Sequence, residues 1–399
     1  MNAMPMIRPI LSRLYVVLAR AAGHQSEPRA QNEGVRMSST SESERPAVFT
    51  RPMRVAVIGA GTLGARHARF WAQQPTAELV AVADVDHARA IAVASRWRVG
   101  AKPIPIAYSD FTEMLSEQRP DAVSVATPDY AHREPCLAAL AFGAHVLVEK
   151  PLATSFVDAR AICDASSTAN RIVMVNHSMR WMPRHREIKA ALADEIGPLV
   201  VAHSAKSDVI SVPTSLLRWA QRSSPAWFLT AHDLDLVRWF AEDRVVRVWA
   251  QGTRRVLIAR GIDTWDAIQA SVTFARGAIA TFESSWIHPE TYPALTDDYM
   301  HVIGERGVAY LDRGRESVEV FGRAQTRHPK HATVYEVGGR IHGSFRHALE
   351  HFEECIALEQ EPQTSARRLV GVIATLEAIH VSLTSGSPVT VDDTDGNPE

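Results

Sequence analysis

The chain has 399 residues, 46% of them hydrophobic and 22% charged, with a formal net charge of −2. That balance belongs to a globular protein long enough for two domains, and it excludes a partner held by bulk charge, whether nucleic acid or an anionic membrane surface. The three cysteines, Cys136, Cys163 and Cys355, form no C-x-x-C pair, which points away from a disulfide framework or structural zinc and towards a reducing, cytoplasmic setting.

Residues 1–52 read as a disordered leader or extension. Its first part, Ile7 to Ala22, is apolar but interrupted by Arg13 and Arg20, and Gln25 to Pro52 is rich in Ser, Glu, Arg and Pro. No apolar run reaches the ~20 residues of a membrane span.

From Met53 the pattern changes. Arg54 to Ile58 is a short β-branched run suited to a buried parallel strand. It enters Gly59-Ala60-Gly61-Thr62-Leu63-Gly64, which matches G-x-G-x-x-G. In that motif the first glycine permits the turn, the second lets the backbone approach a pyrophosphate, and the third lets the helix sit on the strand. The N–H groups of Thr62 and Leu63 open the helix and form an anion site with its dipole. A second strand, Leu79 to Ala83, ends in Asp84, twenty positions past Gly64, where a carboxylate accepts from the adenosine ribose hydroxyls. That carboxylate repels a 2′-phosphate, which favours NAD over NADP. Arg89 stands near enough to turn back towards a phosphate, so NADP stays open.

The alternation of strand and helix continues. Helices are expected over Ala88–Trp97, Tyr108–Gln118 (with Ser109 or Asp110 as N-cap), Ala131–Phe142 (stopped by Gly143) and Phe156–Ala169. Strands are expected over Ala122–Thr127, His145–Glu149 and Arg171–Asn176. This predicts an α/β domain over residues 53–177, a doubly wound parallel sheet whose ligands lie beyond the carboxyl ends of the strands. Past residue 178 helices are expected at Glu187–Asp194 and Phe228–Phe240. β-like runs follow at Val245–Gly252, Ala267–Phe274, Ala278–Trp286, Tyr299–Ile303, Val308–Leu311 and Val318–Val320. Helices Phe345–Leu358 and Ala366–Leu383 close the chain. Residues 178–392 therefore read as an α+β domain with a large, mostly antiparallel open sheet, its last helices packing back on the first domain.

Three constellations carry candidate chemistry. Thr127 and Pro128 follow a strand, and His132 follows them; that histidine either touches a cofactor or sits on the first turn of a surface helix. Glu149-Lys150-Pro151 ends another strand, where a lysine can hold a substrate hydroxyl and a nicotinamide ribose, or stay solvated. His232 and Asp235 lie three apart on one helical face; the histidine suits proton transfer near neutral pH, and the pair equally suits local capping.

Taken in order, GAGTLGARHA, ADVD, ATPDYAH, GAHVLVEKPLA, Asn176 with Arg180 and Pro183, and HDLDLVRW resemble the glucose–fructose oxidoreductase/inositol dehydrogenase (Gfo/Idh/MocA) family from Met53 to about Asp392. The resemblance implies a Rossmann domain followed by an α/β domain whose open sheet often mediates oligomers, so a homo-oligomer, dimer or tetramer. It also implies a bound nicotinamide cofactor and reversible oxidation of a sugar or polyol hydroxyl. Lys150 and His232 would be the catalytic pair, with Asp235 helping. The cofactor would meet Gly59, Gly61, Thr62, Leu63, Gly64, Asp84, Thr127, Pro128, His132, Glu149 and Lys150, and no metal is expected. Arg180, Trp181, Trp227 and Trp286 are the candidates for substrate contact. Many members carry an Asp four residues before the histidine; here that place is Phe228. The departure leaves two alternatives beside the dehydrogenase: an NAD-retaining glycosidase or lyase using transient oxidation, or a non-catalytic cofactor-binding regulator.

Overall fold

The computed structural model describes residues 51–97, 103–312, 317–321, 326–327, 335–337 and 340–391. The leader expected over 1–52 lies outside them except for its last two residues. In the first half, β1 (Met53–Ile58), α1 (Thr62–Gln73), β2 (Ala77–Ala83), α2 (His87–Arg96), β3 (Ile106–Tyr108), α3 (Phe111–Gln118), β4 (Ala122–Val125), α4 (Arg133–Ala141), β5 (His145–Val148), α5 (Phe156–Ala169) and β6 (Val173–Val175) follow one another. The sheet runs in the order β3-β2-β1-β4-β5-β6, and every pair is parallel. The order reverses on either side of β1, which opens a crevice at the carboxyl ends of β1 and β4.

Local chemistry explains the helix starts. Asp110 caps α3 by accepting from the N–H groups of Thr112 and Glu113, so Asp110 and not Ser109 is the cap. Tyr108, expected at the start of that helix, closes the short edge strand β3 instead. The helix expected from Ala131 is split: Asp129–Ala131 is one 3₁₀ turn, and α4 starts after His132.

The second half comprises α6 (Pro183–Ala191), β7 (Leu199–Val209), α7 (Ala231–Ala241), β8 (Val245–Thr253), β9 (Ala267–Phe274), β10 (Ile279–His288), β11 (Thr296–Gly304), β12 (Val308–Asp312), β13 (Ser317–Phe321), β14 (Thr326–Arg327), β15 (Tyr335–Val337), β16 (Arg340–His342), α8 (Ser344–Ala357), α9 (Ala366–Ser385) and β17 (Val389–Thr390). Nine strands form one sheet in the order β14-β13-β12-β11-β7-β10-β9-β8-β17. Only β7 and β10 pair in parallel among its described pairings. The central strand β7 was missing from the reading of the sequence. Beyond Ala202 its inward positions are Ser204, Lys206 and Asp208, all buried, so the apolar alternation that announces a strand is absent.

α9 is long and apolar enough to cross a membrane by length and composition, contrary to the expectation that no run would be. It is a core helix: Leu369, Val372, Ile373, Leu376 and Ile379 are buried in the cluster that also holds Val248 and Ile162. α8 places Phe352 edge-on to Trp71 of α1 at 6.4 Å, and Thr364 hydrogen-bonds Val175 through both its hydroxyl and its carbonyl.

Candidate active site

The glycine turn is built as a backbone device. Gly59 has φ +96°, and a Cβ there would lie 2.5 Å from the carbonyl oxygen of Ala126. A Cβ on Gly64 would lie 1.7 Å from the carbonyl oxygen of Gly59, so only glycine lets α1 start this close to β1. Gly61 differs: a Cβ there would meet nothing within 4 Å. It is the N-cap of α1 and has no side-chain cap, so the first N–H groups of the helix, at Thr62 and Leu63, are offered outward with the dipole behind them. A pyrophosphate fits that opening.

Asp84 ends β2 beside this turn. One carboxylate oxygen accepts from the N–H of Ala60 at 2.7 Å and the other from the N–H of Asp86 at 2.9 Å. The guanidinium of Arg89, half exposed, stands 3.5 Å from Asp84 and 3.4 Å from Asp86. Thr127 and Pro128 lie partly exposed at the carboxyl end of β4, and Thr127 donates to the carbonyl of Ala131.

Two of the expected cofactor residues have their side chains committed elsewhere. His132 is buried, with its two ring nitrogens 2.8 Å from the Pro151 carbonyl and 3.1 Å from the Thr127 carbonyl. It ties two strand-end loops together and is neither a free cofactor contact nor a surface residue. The Glu149 carboxylate accepts from His67 of α1 at 2.9 Å and from Asn176 at 2.8 Å. Those bonds hold it below the usual carboxylate range against the opposing cost of burial. Glu149 thus links α1, β5 and the end of β6, and it fixes the backbone from which Lys150 projects.

Lys150 reaches across to the second half. Its Nζ donates to the main-chain carbonyl of Phe228 at 2.6 Å and lies 4.1 Å from the centre of the Phe228 ring. Burial lowers its pKa from the ordinary 10.5, against the pull of Glu149, Asp129 and Asp208, while Lys206 adds to the lowering. His232 follows a wide π-type turn over Ala226–Thr230, a feature that often marks a functional position. Burial, then the Lys150 and Lys206 cations, hold its imidazole well below 6.5 and therefore neutral. Its Nδ1 is enclosed and has no hydrogen-bond partner among the described residues. The His177 ring stands edge-on at 6.2 Å. Lys150 and His232 are thus brought together from opposite halves of the chain.

Asp235 is not part of that pair. Arg180 grips it through two bonds, at 2.9 and 2.5 Å, and also donates to the Gln363 carbonyl. Arg180 in turn is a buried structural cation and not a substrate donor. Sharing a helical face with His232 placed Asp235 correctly on α7 but said nothing of the Arg that would claim it. Trp181 packs tilted against His351 in the core. Trp286 is fully buried and donates its indole N–H to the Trp265 carbonyl. Trp227 stacks on His380 at 4.8 Å and 12° and lines a separate cleft of roughly 310 Å³ with Arg222, Arg254 and Trp265. All three tryptophans are buried.

Sequence reasoning missed the floor of the site. Buried Lys206 of β7 pairs with Asp233 of α7 at 3.0 Å and with Asp298 of β11 at 2.7 Å, and Arg184 of α6 pairs with Asp298 at 2.9 Å. Asp233 also accepts from Ser204, and burial pushes its pKa up to about 6. The only signal in the chain was a pair of charges, at Lys206 and Asp208, where a strand's inward face should be apolar.

A six-stranded 3-2-1-4-5-6 sheet with a glycine-turn anion site, facing a buried lysine and a neutral histidine, defines a nicotinamide-dinucleotide-binding oxidoreductase of two-domain architecture. Residues 53–177 match the oxidoreductase family of NAD-binding Rossmann fold, GFO_IDH_MocA, and residues 185–310 match the GFO/IDH/MocA C-terminal domain. The chain belongs to that family. It is 31% identical over 260 residues to an inositol 2-dehydrogenase of Rubrobacter xylanophilus, covering 64% of this chain and 70% of the relative. It is 29% identical over 365 residues to a D-apiose dehydrogenase of Paraburkholderia graminis, covering 88% and 94%. Among solved structures it is similar in fold to an oxidoreductase from Agrobacterium radiobacter in complex with NAD+, L-tartaric acid and magnesium. That match has a TM-score of 0.73 and 21% identity, over 85% of this chain and 98% of the other.

Proposed function

We propose that the protein is an NAD-dependent dehydrogenase that reversibly oxidises a CH–OH group of a sugar or polyol. The observation that carries the reading is that the Lys150 amine, beyond the carboxyl end of β5, is bonded to the main chain of the turn that leads into His232. Alcohol oxidation needs a group to steady the oxygen and a group to take its proton, and these two side chains supply both. The nicotinamide supplies the hydride acceptor. Lys150 donates to the hydroxyl oxygen and stabilises the alkoxide as it develops. His232, neutral because it is buried beside cations, takes the hydroxyl proton. The names of the relatives, inositol 2-dehydrogenase and D-apiose dehydrogenase, support a neutral ring or branched polyol as substrate.

The test is NADH formation across inositols, aldoses and sugar acids, wild type against Lys150→Ala. One substrate should give net NADH, and the variant should lose about 10²–10⁴ in kcat while NAD binding persists. Cleavage of a substrate without NADH release would sink the reading. Because His232 is held well below 6.5, kcat/KM for oxidation should stay level as pH falls through 6.5 and drop only at lower pH, where the ring takes its proton.

The outward face of the nine-stranded sheet exposes Trp249, Ile279, Ile303 and Tyr310, which supports a homo-oligomer formed through that face. A monomer mass at micromolar concentration would exclude it. Cys136, Cys163 and Cys355 are all unpaired, in keeping with a reducing cytoplasm.

A further inference from the structure

Lys150 and Phe228 meet in an unusual way. Among the described residues the Lys150 Nζ donates a hydrogen bond only to the Phe228 carbonyl, at 2.6 Å, and the ring of the same residue lies 4.1 Å from that nitrogen. An ammonium has three N–H donors. One points to the carbonyl, the ring face covers another side, and a third is left for an oxygen in the cleft. The ring cannot easily turn away. Trp219 stands edge-on to it at 6.1 Å and Trp286 tilts against it at 6.2 Å, and Trp286 is itself fixed by its bond to Trp265.

The other charges around Lys150 are all engaged. Glu149 is tied to His67 and Asn176, Asp129 accepts from Ser223, Asp208 accepts from Thr296, and Lys206 is paired with Asp233 and Asp298. The imidazoles of His177 and His232 are buried and neutral, and His132 is tied to the Pro151 carbonyl. Phe228 contacts the amine without a formal charge, and its side chain can be exchanged without breaking an ion pair.

We propose that Phe228 is a positioning residue for Lys150: its carbonyl aims the amine and its ring face sets how readily that amine holds its proton. A ring quadrupole favours the ammonium over the neutral amine, less strongly than a carboxylate would and more strongly than an aliphatic side chain. A site with phenylalanine here keeps the lysine charged enough to steady an alkoxide. The contact itself is independent of the reaction; its consequence for turnover rests on the dehydrogenase reading.

The test is pH-dependent competitive acylation of Lys150, read by mass spectrometry on the folded protein without substrate. The midpoint of the labelling curve, not its plateau, is the readout. Phe228→Leu should raise the neutral-amine fraction at a fixed pH about tenfold, ~1.4 kcal/mol. Phe228→Tyr, which keeps the ring, should stay within about twofold, and Phe228→Asp should lower that fraction by at least about tenfold. Phe228→Met replaces the leucine variant if the latter lacks a native unfolding transition. A midpoint common to the leucine, tyrosine and wild-type proteins would overturn the proposal. If the midpoints follow the order Leu, Phe, Asp but the alkaline limb of kcat/KM does not move with them, the coupling stands and the assigned role of Lys150 in turnover fails.

Discussion

The two halves of the candidate site are made differently. In the first half the anion site is main chain: Gly59, Gly61 and Gly64 shape it, and N–H groups at the start of α1 fill it. In the second half the floor is side chain: Lys206, Asp233, Asp298 and Arg184 come from β7, α7, β11 and α6 and hold one another away from water. A main-chain site depends on a short stretch of sequence in which each glycine has a steric reason. A side-chain site depends on partners brought together from distant positions, up to the 114 residues that separate Arg184 from Asp298, and each member is costly without the others.

That contrast can be broken most directly at Lys206. Lys206→Met leaves Asp233 and Asp298 buried with one cation between them, and should lower the unfolding free energy by about 3–5 kcal/mol, measured by urea unfolding at neutral pH. Loss of turnover with unchanged stability would make the floor a catalytic device instead of a structural one. The next largest effect is expected in the glycine turn. Gly64→Ala forces a Cβ to within 1.7 Å of a main-chain oxygen, and the overpacking should cost about 1–3 kcal/mol, with a matching loss of NAD affinity by calorimetry. Gly61→Ala, whose Cβ meets no protein atom, should leave stability unchanged and weaken only NAD binding. Equal destabilisation by the two would refute the steric division of labour. The smallest effect concerns cofactor choice. Asp84→Asn removes the charge that opposes a 2′-phosphate and leaves Arg89 beside it, so the NAD/NADP preference should fall about tenfold, ~1.4 kcal/mol, in the ratio of kcat/KM values. An unchanged ratio would mean that Asp84 serves only the N–H groups of Ala60 and Asp86.

How much was legible follows the same line. Five of the six strands of the Rossmann half could be read because their β-branched runs and the glycine turn are local; the three-residue edge strand β3, Ile106–Tyr108, could not. His232 and Lys150 are singled out by the family resemblance, but their closeness is not, since it is set by the bond from the Lys150 amine to the Phe228 carbonyl in the turn before α7. His132 and Glu149 were read as cofactor contacts because they stand at strand ends. The structure spends both on holding loops: a motif marks a position, and hydrogen-bond partners decide what the side chain does there.

Lys150 and His232 stand out only through the family resemblance; the parallel sheet, the dinucleotide turn and the acidic end of β2 are what the sequence by itself determined. Each depends on periodicity, sterics or spacing within a few tens of residues. Only the tertiary structure decided that Asp235 belongs to Arg180, that three tryptophans are core or line a different cleft, that β7 buries a lysine, and that a phenylalanine ring lies against the Lys150 ammonium. Those outcomes are choices among partners for buried charge and aromatic surface, and such choices are made when distant segments compete for the same desolvated space.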